Sequence, residues 1–112
     1  MTLGYYEIAR THNGRFHFCL KAGNGEAILH SEMYATRASV ENGILYVQSN
    51  AADDAQYELC CEGEQPYFLL RAKNHQVIGH SEHYCSESAA RKGIESVKRN
   101  AQSRDIRDLS RG

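Results

Sequence analysis

The chain has 112 residues, 13 of them Lys or Arg and 14 Asp or Glu, for a formal net charge of −1. One domain with one core fits that length and two independent domains do not, because a unit of roughly 50 residues is marginal by surface-to-volume scaling. The balanced charge falls short of the footprint of a nucleic-acid binder, and no apolar run approaches the roughly 20 residues of a membrane-spanning helix.

Met1-Thr2-Leu3-Gly4 leads at once into strand-like sequence, with neither a basic nor an apolar leader, so the cytoplasm is the expected compartment. Tyr5 to Arg10 carries β-formers with Tyr6 and Ile8 on one side, which predicts a strand. Thr11-His12-Asn13-Gly14 predicts a turn, since Asn-Gly readily takes positive φ. Next, Phe16, Phe18, Leu20 and Ala22 alternate with His17, Cys19 and Lys21, the pattern of a half-buried antiparallel strand. Gly23-Asn24-Gly25 turns the chain into a short third strand, Ala27 to Ser31. From Thr36 the period lengthens. Val40, Ile44, Val47 and Ala51 recur at helical spacing, with Thr36 as N-cap and an end near Asn50.

After Ala52-Asp53-Asp54 the same order begins again. Displaced by fifty residues, Phe18 falls on Phe68, Leu20 on Leu70, Asn24 on Asn74, His30-Ser31-Glu32 on His80-Ser81-Glu82, and Gly43-Ile44 on Gly93-Ile94. Tyr57-Glu58-Leu59 echoes Tyr6-Glu7-Ile8 one residue out of step, so the hairpins differ in length. Pro66 opens a strand through Phe68, Leu70 and Ala72, Val77 to Ser81 forms another, and Ser86 caps a helix reaching Ala101. Two copies are too few for a solenoid and predict a two-fold pseudo-symmetric domain, with repeats at about residues 5–52 and 56–109. Its core would be Phe18, Leu20, Phe68 and Leu70 beneath Val40, Ile44, Val47, Ile94 and Val97. Gly43 and Gly93, unfavourable inside helices, predict close approach of helix to sheet. The stretch Asp105 to Leu109 is either a short edge strand or disordered.

The tandem blocks Phe-x-Leu-x-Ala-x-Asn, Ile-x-His-Ser-Glu-x-Tyr and Gly-Ile-x-x-Val-x-x-Asn-Ala resemble the bacterial YegP-like family, a domain of unknown function. The resemblance implies an α+β fold of tandem β(3)-α-β motifs that share one antiparallel sheet, exchange their last strands and carry two helices. It implies no reaction, substrate or catalytic residue, and the family pattern rests on Ser-Glu-x-Tyr, so His30 and His80 are particular to this chain.

The repeated block supplies the candidate site residues Ser31, Glu32, Tyr34, Ser81, Glu82 and Tyr84. His30, Ser31 and Glu32 suggest base, nucleophile and orienter, but strand neighbours point to opposite faces, so the contiguous triplet makes no triad. A site composed across the pseudo-two-fold stays open. The structural alternative has the serines and glutamates bonding backbone around the helix entry, and the tyrosines laying rings on the core with hydroxyls at the surface. His30 and His80 are then solvated.

Cys19, Cys60, Cys61 and Cys85 include no C-x-x-C pair, and with no secretion signal they read as free thiols. His75, His80, His83 and Cys85 suit zinc in type but match no closed Cys/His spacing, so neither metal nor cofactor is expected. Gly23-Asn24-Gly25 is a poor phosphate cradle because it precedes a strand. Lys98, Arg99, Arg104, Arg107 and Arg111 form a basic C-terminal stretch, a candidate anion or nucleic-acid contact or else a solvated face. With no catalytic constellation recognisable, the expectation is a monomeric, non-enzymatic structural or protein-interaction module, with nucleic-acid binding as the alternative.

Overall fold

The structure, a computed structural model, describes residues 3–61, 63 and 65–110. Its elements in chain order are β1 (Tyr5–Arg10), β2 (Phe16–Lys21), β3 (Ala27–His30), α1 (Arg37–Asn50), a 3-10 turn at Asp54–Gln56, β4 (Tyr57–Cys60), β5 (Tyr67–Arg71), β6 (Val77–His80), α2 (Glu87–Asn100) and β7 (Ile106–Asp108). The strands form one sheet in the order β4-β5-β6-β3-β2-β1-β7. This is the tandem α+β architecture, with one refinement: β7 runs parallel to β1, so the sheet is mixed where antiparallel pairing throughout was expected. The strand after α2 thus completes the first repeat, while the strand after α1, β4, pairs with β5 of the second.

Local sequence sets each element. Gly14 and Gly25 take φ of 83° and 85° at their hairpin turns, a conformation glycine adopts without Cβ strain. At the turn equivalent to Gly25 the second repeat places His75, with φ 71°. Thr36 and Ser86 accept hydrogen bonds from the Ser39 and Ala89 amides at 3.1 Å, capping the two helices as expected.

Both helices lie on the same face of the sheet, each over strands of both repeats. Phe18, Leu20, Phe68 and Leu70 are fully buried beneath them, with Val40, Ile44, Val47 and Val97. Ile94 is only partly buried, unlike its equivalent Ile44. The pseudo-two-fold axis passes between β3 and β6, where His30 faces His80. There Leu29 is fully buried, and a Cβ on its equivalent Gly79 would stand 2.8 Å from the Leu29 side chain. The centre has room for one side chain, and the first repeat supplies it. Tyrosine hydroxyls tie each strand meander to the end of a helix: Tyr6 donates to the Ala101 carbonyl at 2.8 Å and Tyr57 to that of Ala51 at 2.7 Å.

Candidate functional site

Because side chains alternate across a strand, burying Phe18 and Leu20 sends Cys19 to the face without helices. Strand register then lines up Arg107, Glu7, Cys19, His30, His80, Leu69 and Glu58 in one row across all seven strands. At its centre the His30 and His80 rings stack with centroids 5.7 Å apart. Cys19 Sγ lies 3.3 Å from His30 Nδ1, and Glu82 Oε1 lies 2.7 Å from Nε2. These contacts with Cys19 and Glu82, set against the opposing effect of burial, push His30 up to about 9. His30 is therefore a half-buried, doubly bonded ring rather than a solvated one.

The repeated block divides by role. Ser31 accepts from the Phe18 amide at 2.8 Å and donates to the Glu32 carbonyl at 2.8 Å. Ser81 makes the same pair with the Phe68 amide at 2.9 Å and the Glu82 carbonyl at 2.7 Å. Both serines are buried, so these bonds satisfy groups that would otherwise be costly to bury. Tyr34 stacks on Phe18 and Tyr84 on Phe68, with centroids 6.4 and 6.1 Å apart. Their hydroxyls end against the helices: a Cβ on Gly43 would lie 2.5 Å from the Tyr34 hydroxyl, and Gly93 is crowded likewise by Tyr84. These rings occupy the space that both helical glycines leave. Glu82 departs from the expected backbone bonding, reaching across the axis to His30; Glu32 is exposed.

His83 packs against Tyr67 with the rings tilted and their centroids 5.0 Å apart, and no group of three His, Cys, Asp or Glu among the described residues is placed to hold a metal. Cys19 and Glu82 approach opposite nitrogens of one imidazole, an arrangement that cannot converge on a single ion. All four thiols are free.

The basic residues lie on separate parts of the surface. Lys98 on α2 is paired with Asp54 and Glu95, and Arg99 borders a shallow cleft with Ala22, Asn24 and Ser96. Arg104 lies beside Leu45 and Gln48 of α1, while Arg107 bonds Asp105 and sits 3.7 Å over the Tyr5 ring. Arg111 lies outside the described residues.

A feature that sequence reasoning did not anticipate is the inequality of the two sheet edges. β7 covers the outer edge of β1, through hydrogen bonds from the Tyr6 amide to the Asp105 carbonyl at 2.9 Å and from the Leu109 amide to the Ile8 carbonyl at 2.8 Å. Arg37 on α1 holds it in place, pairing with Asp108 at 3.2 Å and donating to Ser110 at 2.8 Å. On the opposite side, β4 ends the sheet. Tyr57 and Leu59 stand where Tyr6 and Ile8 stand in β1 and turn the corresponding backbone groups outward. The Tyr57 amide donates to the Asp54 carbonyl, and the register shared with β1 turns the Tyr57 carbonyl and both Leu59 backbone groups toward the edge. A cleft of about 290 Å³ runs along it, lined by Asp54, Tyr57, Leu59, Arg91, Ile94 and Glu95. Where α1 presents Arg37, α2 presents Glu87. The signal for all this is the repeat itself, once the strand after each helix is followed to its partner.

Residues 12–58 and 62–108 each match the family described as Domain of unknown function (DUF1508). The chain is 63% identical over 59 residues to the UPF0339 protein YegP of Yersinia pestis, covering 53% of either chain. It is 54% identical over 65 residues to the UPF0339 protein ACIAD0721 of Acinetobacter baylyi, covering 57% of this chain and 59% of that one. These alignments span about half the length of the curated relatives. The solution NMR structure of the protein of unknown function yegP from E. coli superposes with a TM-score of 0.93 at 39% identity, covering 100% of this chain and 97% of that one. That of the UPF0339 protein SO3888 from Shewanella oneidensis gives 0.91 at 44% identity, covering 97% and 93%.

Proposed function

We propose that this chain, which belongs to the family described as Domain of unknown function (DUF1508), is a non-enzymatic protein-interaction module that takes an extended segment of a partner along the outer edge of β4. One observation carries the proposal: the fold covers the outer edge of β1 with a parallel strand, and no strand among the described residues covers the equivalent edge of β4. An unpaired edge is a template for strand addition, and β7 on β1 shows the geometry this sheet accepts. The partner segment places an apolar side chain over Tyr57, Leu59 and Ile94, and a basic one toward Glu87 in competition with Arg91, which pairs with it at 2.9 Å, where β7 offers Asp108 to Arg37. Dispersal of the basic residues supports ranking a protein partner above nucleic acid. The module acts as a cytoplasmic monomer, since its two repeats already complete one sheet; among the described residues no helix is long and apolar enough to cross a membrane.

The test uses a peptide with the sequence of residues 104–110 in which Asp108 is replaced by Arg. Saturable binding is expected, with amide shifts confined to β4 and the first turn of α2 and with slowed exchange of the Leu59 amide. Leu59→Pro should abolish it, and Glu87→Lys should shift preference to the unmodified peptide. Shifts elsewhere, or none, would reject the β4 edge as the docking site.

A further inference from the structure

The open face of the sheet holds a second constellation, which strand addition at β4 does not use. We propose that Cys19, His30 and Glu82 form a reactive-thiol site at which small hydroperoxides oxidise Cys19 to a sulfenic acid. The three side chains come from β2, from β3 and from the loop after β6 of the other repeat, so only the assembled pseudo-dimer contains the site. Sulfur, imidazole and carboxylate are arranged in series through the two ring nitrogens. Glu82 on Nε2 fixes the ring and leaves Nδ1 to the sulfur, which is the relation of orienter, base and nucleophile that activates thiols.

Titratable and charged groups of both signs surround the pair. Around Cys19 and His30 lie Glu7 from β1, His17 and Lys21 from β2, His80 from β6 and Glu82 from its loop, with Arg107 from β7 next along the row. Lys21 is tied to Glu7 at 2.9 Å and so is held on the same face, in electrostatic contact with Cys19. The raised proton affinity of His30 agrees with this placement. Cys19 is half-buried on a face that no helix covers. It lines none of the larger clefts found among the described residues, and a hydroperoxide is small enough to need none.

The step balances within the site. The Cys19 thiolate attacks the terminal oxygen of ROOH, an S–O bond forms, and the O–O bond breaks with its electron pair leaving on RO⁻. The alkoxide takes the proton from Nδ1 of His30 and departs as ROH. Sulfur is oxidised by two electrons and the hydroperoxide is reduced by two, leaving Cys19 as the sulfenic acid, the reversible first rung of thiol oxidation. The other cysteines are built-in controls. Cys61 lies 3.6 Å from the Glu87 carboxylate, and burial followed by that contact pushes its thiol up, against ionisation. In the second repeat, Leu69 stands in place of Cys19, so His80 has no thiol to activate.

The experiment treats the intact chain at pH 7 with hydrogen peroxide and dimedone, then reads labelling of all four cysteines together by peptide mass spectrometry. Cys19 should be labelled at least about tenfold faster than Cys60, Cys61 and Cys85, because a carboxylate-oriented imidazole contacts its sulfur. His30→Gln should remove that lead. Glu82→Gln, a change at an exposed side chain that leaves packing intact, should reduce it severalfold and displace the pH profile of Cys19 labelling toward higher pH. Circular dichroism confirms that both variants are folded. A lead under tenfold, or one that survives both substitutions, overturns the proposal.

Discussion

Tyr6 and Tyr57 hold the same place in the two repeats and each caps a helix end, yet Tyr6 is fully buried and Tyr57 is not. The same holds for Ile8 against Leu59 and for Ile44 against Ile94. In each pair the side chains are alike, and for the two pairs on strands the register is alike as well. What differs is β7, which lies over the edge of the first repeat and has no counterpart on the second among the described residues. Burial here is decided by which strand lies alongside.

The sharpest way to break this comparison is to truncate the two isoleucines. Ile44→Ala removes a side chain with 1% exposure and is expected to cost toward the upper part of the roughly 2–5 kcal/mol range for such changes. Ile94→Ala, beside the open cleft, should fall at or below its lower end. Urea melts of both variants measure the gap, and equal losses would mean that the second edge is covered in solution. Next in size is the central asymmetry. Gly79→Ala drives a methyl into Leu29 and is expected to cost about 1–3 kcal/mol by overpacking. The exchange Leu29→Gly with Gly79→Leu should recover much of that loss, a coupling that a double-mutant cycle reads directly.

Smaller effects sharpen the comparison at the surface. His30 binds its proton more tightly folded than unfolded, so its contribution is complete below about pH 6.5 and is lost as pH rises through about 9. Because the Glu82 side chain is 62% exposed and screened by solvent, about 1 kcal/mol of pH-dependent stability is expected. His30→Gln should flatten stability over that interval, and thermal melts from pH 6 to 9.5 test it. His80 lacks both partners of His30, so His80→Gln should leave the slope in place. Last, His75→Gly relieves a left-handed backbone and should stabilise by up to about 1 kcal/mol, while Gly25→His should do the reverse.

Much of this architecture is legible in the chain itself. The alternation through Phe16, Phe18 and Leu20, the capping Thr36 and Ser86, and the fifty-residue displacement all encode local structure, which neighbouring residues suffice to determine. The thiol site is not legible in that way. Cys19 precedes His30 by 11 residues and Glu82 follows it by 52, and only register across the pseudo-two-fold brings them together. Equally hidden is the tyrosine packing. Tyr34 and Gly43 both repeat, but that one fills the space left by the other follows from the helix position over the sheet, not from either residue. The parallel pairing of β7 depends on where α2 releases the chain, beyond the reach of any periodicity.

The pairing of Tyr6 with Ile106 also sets an order of events during synthesis. A ribosome adding roughly 5–20 residues per second releases β1 several seconds before β7. Throughout that interval the nascent first repeat has its meander and its helix but not its closing strand. Its outer edge stays open to other chains, the exposure through which sheets aggregate. The charged Arg107 and Asp108 make the late-arriving strand soluble until it docks, and Arg37 on α1, emerged long before, waits to receive it. Folding of the amino-terminal half is thereby made conditional on translation of the carboxyl-terminal half, and a ribosome stalled after α1 would release a half-built sheet with an adhesive edge.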